Sequence, residues 1–190
     1  MPQPLSAESL SYWYLRLNGF MTIESFILHG HPGQRTDADI YGVRFPNRSE
    51  LGMNDDVYFK HQTKPHLVIC EIKRGPCFLN GPWKNKDKEN IQYVLHAIGA
   101  FLNASIDTVA AALYDEYAFE DANYLIQLFA IGSNRNEDYV ETRPGLVQLT
   151  FPEMLKFVHQ RFTAFHNEKR DHQQWDATGQ MLWDDLALRM

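Results

Sequence analysis

Asp39 and the triplet Glu71-Ile72-Lys73 are the residues whose types and spacing best suit one piece of chemistry. Residues two apart on a strand share a face, so Glu71 and Lys73 would stand roughly 7 Å apart on one side. The run before them, Leu67-Val68-Ile69-Cys70, is apolar throughout. A strand buried on both faces therefore ends in an acid and a base, where turn residues are the norm. Thr36-Asp37-Ala38-Asp39-Ile40 opens the strand before it. If the two strands pair antiparallel, the start of one lies opposite the end of the other, and Asp39, Glu71 and Lys73 meet at one edge of a sheet. Two hard carboxylates with room for water suit Mg2+ or Mn2+ rather than zinc. An ammonium beside them can orient or deprotonate a water. A held water and a neutralised phosphate are what phosphodiester hydrolysis requires. Asp37 shares a face with Asp39 and is the alternative first acid, but the apolar strand begins directly after Asp39.

The elements that must position these residues follow from periodicity. Leu10, Trp13, Tyr14 and Leu17 form one apolar stripe of a helix over Ser6–Asn18, ended by Gly19. Strands are expected at Met21–Leu28, about Ala38–Phe45, and His66–Lys73. The polar stretch Asn47–Pro65 is long enough for a functional loop. Asp87 is placed to cap a helix from about Lys88 to Phe101, with Ile91, Val94, Leu95 and Ile98 on its buried stripe. A helix at Thr108–Tyr117, a buried strand at Tyr124–Gly132 and a short edge strand at Leu146–Leu149 follow. Thr150-Phe-Pro-Glu153 is a capping box that starts a further helix bearing Met154, Val158, Phe162 and Phe165. A last short helix is expected at Gly179–Leu188. Strands clustered early, with helices before and after, predict an α/β sandwich.

Composition narrows the classes. The chain has 190 residues, 44% hydrophobic and 22% charged, which predicts one soluble globular domain. A net charge of −6 argues against a protein that grips nucleic acid by bulk charge, though it leaves room for a local basic groove. Two cysteines, Cys70 and Cys77, cannot build a disulfide framework, and reduced cytoplasmic thiols are expected. Cys70 points away from Glu71 and reads as a buried filler. No apolar run approaches the roughly 18 residues of a membrane span, and the N-terminal stretch lacks the features of a signal peptide. His29 and His31 sit among Gly and Pro and read as a loop. The Trp and Tyr stripe of the first helix reads as core.

Asp39…Glu71-Ile72-Lys73 resembles the motif of the PD-(D/E)xK nuclease superfamily, with its restriction-endonuclease-like fold. The resemblance spans roughly Ser6 to Gly132. It implies a three-layer α-β-α sandwich with an αβββαβ core around a mixed central sheet, plus C-terminal helices. Residues 1–150 would form the nuclease-like core and 151–190 a helical extension packed on the same domain. It also implies that Asp39 and Glu71 bind Mg2+ or Mn2+, that Ile72 adds its backbone carbonyl, and that Lys73 assists the attacking water. Family members often add an acid from the first helix; Glu8 is the candidate, with Glu24 its rival. Some carry a Gln on the helix after the motif, for which Gln92, a turn before His96, is placed.

Arg44, Arg74, Lys84 and Lys86 bracket the proposed site in sequence, with Trp83 among them, and would form a basic rim for a nucleic acid, DNA rather than RNA. The expected function is a metal-dependent nuclease. Two other readings stand beside it: a non-catalytic subunit or scaffold of this fold in a larger complex, and a hydrolase of small phosphoesters. The aromatic-rich C-terminal segment, with Trp175 and Trp183, fits a homodimer or a protein partner.

Overall fold

The computed structural model describes residues 6–29, 35–48, 54–60, 62–169 and 176–187. Helix α1 (Ala7–Leu17) begins where the Ser6 hydroxyl accepts the Ser9 N–H at 3.1 Å. It stops at Gly19, whose φ of +83° suits glycine alone and whose missing Cβ leaves room for the Arg48 side chain. Leu10, Trp13 and Tyr14 are buried, so the aromatic stripe is core, as its spacing predicts. Strands β1 (Met21–His29), β2 (Arg35–Arg44) and β3 (His66–Ile72) then form an antiparallel meander. His31 lies outside the described residues.

Two short helices, α2 (Asn90–Ile98) and α3 (Ile106–Asp115), lead to β4 (Ala118–Glu120) and β5 (Leu125–Gly132). Then come α4 (Glu137–Thr142), β6 (Val147–Thr150), α5 (Phe151–Ala164), α6 (His166–Lys169) and α7 (Ala177–Ala187). The result is an α/β protein around a mixed six-stranded sheet of order β1-β2-β3-β5-β4, with β6 on β5. β3 and β5 run parallel, with α2 and α3 in the connection. β4 lies antiparallel along the first half of β5, and β6 parallel along the second. All seven residues of β3 are buried, which its central place in the sheet demands.

Side chains alternate across the sheet. Val68, Cys70 and Ile72 join a cluster with α1, α5 and α7, through Trp13, Tyr14, Phe157 and Leu182. Leu67 and Ile69 join a second cluster with α2 and α3, through Ile91, Leu95, Val109 and Leu113. One point breaks the alternation. Ile40 belongs to the first cluster, whereas Ala38 and the Phe26 opposite it belong to the second. Between these pairs stand Ser25, at φ +50°, and Asp39. The two strands turn one face over at the level of Asp39, as strands do where a residue leaves the regular pleat.

Several local expectations change. The residue expected to cap α2, Asp87, lies inside a 3-10 turn (Lys86–Lys88), where its own N–H is held by Asn85. The Tyr114 hydroxyl of α3 instead accepts the Ile91 N–H at 3.2 Å, and Gly99 ends α2 at φ +68°, short of Phe101. Spacing did not foresee β4 or α4. The capping box is present: Thr150 Oγ1 accepts the Glu153 N–H, and the Glu153 carboxylate accepts the Thr150 N–H at 2.8 Å. Among the described residues no helix is long and apolar enough to cross a membrane.

His66 opens β3, at the end away from Glu71, and is fully buried between the rings of Phe20 and Phe59. Burial, reinforced by the Arg44 guanidinium, pushes its pKa from 6.5 to about 4. Above pH 6.5 neither the folded nor the unfolded chain carries this proton, and the full stability is present. As pH falls from 6.5 towards 4, the unfolded chain takes up a proton that the folded one refuses. Urea denaturation should therefore show stability dropping over this window by about 3 kcal/mol, and His66→Gln should flatten that drop. An equal drop in the variant would contradict the assignment.

Candidate functional site

The last antiparallel pair of β2 and β3 is Ile40↔Cys70, so Asp39 and Glu71 are the next residues outward on their strands. There the carboxylate of Asp39 replaces a ladder acceptor: its Oδ2 accepts the Ile72 N–H at 2.6 Å. On its other side β3 stays paired, with the Lys73 N–H donating to the Ile131 carbonyl at 2.9 Å. Asp39 is thus held against the strand that carries Glu71 and Lys73.

Glu71 is 4% exposed. Its Oε2 accepts from the Trp83 indole at 2.8 Å, and its Oε1 is ion-paired with the Lys73 ammonium. Burial raises the Glu71 pKa above the usual carboxylate range, against the pull of Lys73; Asp39 adds to the rise and the Trp83 hydrogen bond opposes it. Lys73 keeps 30% of its side chain exposed, so the ion pair has one dry partner and one wet one.

Trp83 comes from the loop after β3. It ends a 3-10 turn, Gly81–Trp83, and packs with Cys77, Leu79 and Ile91. The loop is tied to the end of β5 by the Cys77 N–H to the Asn134 carbonyl and the Ser133 N–H to the Gly75 carbonyl. It passes so close to Gly132 that a Cβ there would sit 2.6 Å from both Cys77 N and the Gly75 oxygen. The sequence places Trp83 among the residues of a basic rim; the structure corrects this, for Trp83 is buried and its indole N–H is spent on Glu71.

Of the sequence candidates, Asp39, Glu71 and Lys73 come together and the others divide. Glu8 and Glu24 are exposed; the charges acting on Glu24 are those of Asp176 and Glu8, beside a dominant burial effect that raises its pKa. With Asp176 they form an acidic group. The backbone of Asp37 pairs with Ile27, and its side chain lies outside the described residues. Gln92 is half-buried on α2, with its Oε1 enclosed and lacking a hydrogen-bond partner. Arg44 is a correction. It is 5% exposed, at the end of β2 away from Asp39, ion-paired with Asp55 and bonded to the Phe59 carbonyl, so it holds the fold and lies off the rim. Arg74 is exposed next to Lys73. Lys84 lies 4.2 Å over the Phe78 ring, and Lys86 pairs with Asp115 at 2.7 Å. Cys70 is buried, as expected of a filler.

Among the described residues no group of three or more His, Cys, Asp and Glu side chains is arranged to hold a metal ion. Asp39 and Glu71 are the two carboxylates that neighbour each other here, close enough for the charge of Asp39 to act on Glu71, and the resemblance adds the Ile72 carbonyl. This donor set fits a hard cation such as Mg2+ or Mn2+, which retains several waters or substrate oxygens beside one or two carboxylates. A cavity of about 370 Å3 elsewhere is lined by Asp55, Asp56, Tyr58, Lys60, Glu153 and Lys156, and by none of the three converging residues. Comparison of the chain with protein-family models, curated proteins and solved structures finds no match.

A carboxylate whose folded pKa is raised has its full stability below its ordinary pKa and loses it as pH rises through the folded value. Glu71→Gln removes that charge and keeps an acceptor for Trp83. Differential scanning calorimetry at pH 8 should show the variant melting above wild type. The gap should close near pH 4, where Glu71 is itself protonated. A variant that melts lower than wild type at pH 8 would refute the burial argument.

Proposed function

We propose that the chain is a divalent-metal-dependent nuclease of the PD-(D/E)xK type, hydrolysing phosphodiester bonds of DNA. The observation that carries this reading is the meeting of Asp39, Glu71 and Lys73, from two strands far apart in sequence, at one end of β3. The proposal includes the finer architecture: a three-layer α-β-α sandwich in which residues 1–150 carry the site and residues 151–190 pack on it. Asp39 and Glu71 would hold Mg2+ or Mn2+, with the Ile72 carbonyl. The bound ion would supply charge neutralisation at the phosphate and a more acidic water. Lys73, half in solvent, would orient that water. Glu71 is the fixed group, with its carboxylate enclosed; Lys73 is the movable one. Arg74, Lys84 and Lys86 stand on or near the loop that leaves β3 and would meet the phosphate backbone. A cytoplasmic setting accords with two buried, unbridged cysteines.

Purified protein should nick supercoiled plasmid in Mg2+ or Mn2+, and EDTA should abolish nicking. Lys73→Ala and Glu71→Ala should each cut the rate by about a hundredfold or more with unchanged circular dichroism. Full activity in both variants would overturn the proposal. Parallel assays on single strands, RNA and nucleotides separate a nuclease from a small-phosphoester hydrolase. In a binding assay without metal, Lys84→Glu with Lys86→Glu should weaken DNA binding and flatten its salt dependence by about two phosphate contacts. Unchanged binding would remove these lysines from the rim.

A further inference from the structure

Two donors meet Glu71, and they differ in kind. Trp83 is 2% exposed, locked by the cluster of Cys77, Leu79 and Ile91, and brings a neutral N–H that cannot swing away. Lys73 is 30% exposed on its side chain, with a flexible stem and a charge that water can take over. The rigid donor occupies Oε2 and the movable one occupies Oε1.

We propose that Trp83 is a positioning residue that fixes Glu71 by Oε2 and leaves Oε1 as the one oxygen a divalent cation can take, so that Lys73 and the cation compete for the same atom. The inference rests on the nuclease reading for the cation itself. Its ground is chemical. A buried indole N–H left without an acceptor is penalised, so Trp83 keeps its oxygen whatever else binds. Outer donors of this sort set the direction of a ligating carboxylate. Lys73 then has two settings: internal counter-ion to Glu71 when the cation is absent, and an ammonium released towards the open side of the site when it is present.

Isothermal titration of Mn2+ into the full chain, with indole emission followed in parallel, tests this. Wild type should bind Mn2+ with quenching of one component of the emission. Trp83→Phe should bind roughly tenfold more weakly and lose that component. Lys73→Met, altered at a half-exposed position, should bind severalfold more tightly. Equal affinity in Trp83→Phe and wild type would overturn the positioning role. Lys73→Met binding no tighter than wild type would overturn the competition, whether or not Trp83→Phe folds. Wild type binding no Mn2+ would remove the nuclease reading, and this inference with it.

Discussion

A carboxylate enclosed at the end of a central strand must be answered by donors from outside that strand, and Glu71 organises its surroundings accordingly. One donor is Trp83, delivered by a loop that the backbone pins to the end of β5. The other is Lys73, two residues on and on the same face. The two donors do not offset the burial of this carboxylate: its pKa stays raised despite both. Removing either donor would leave a charge that the interior tolerates poorly.

The strand arrangement explains how Asp39 reaches this carboxylate. Regular pairing of β2 and β3 runs to Ile40↔Cys70 and stops, and the next donor on β3, the Ile72 N–H, is taken by the Asp39 side chain. The turnover of β1 and β2 at Ser25 and Asp39 frees Asp39 from the core-facing alternation that governs its neighbours. On the opposite end of the sheet, Arg44 and His66 show the contrasting outcome. There a buried cation is matched by Asp55 and a buried imidazole stays neutral, and both serve the core.

Much of this was legible in the chain itself. The all-apolar run of β3, the amphipathic stripe of α1 and the Thr150–Glu153 capping box are signals written within a few residues, and each reappears in the structure. Antiparallel pairing put Asp39 at the level of Glu71, and alternation put Glu71 and Lys73 on one face; the turnover of β2 at Asp39 had no signal in the chain. What depended on distant partners was not legible. The start of α2 is satisfied by Tyr114, from another helix, rather than by the local Asp87. Arg44 looked like part of a basic run, but Asp55 and the Phe59 carbonyl claim it. The partner of Glu71 lies twelve residues on, in a loop without periodicity, where no local rule says which way an indole points.

The most direct measurement is anomalous diffraction from crystals of the protein grown with Mn2+. The account predicts a single strong peak bonded to one oxygen of Asp39 and to Glu71 Oε1, with the Trp83 indole still on Oε2 and Lys73 moved away. A Mn2+-saturated crystal with no peak between these carboxylates, and with Lys73 unmoved from Glu71, would contradict it.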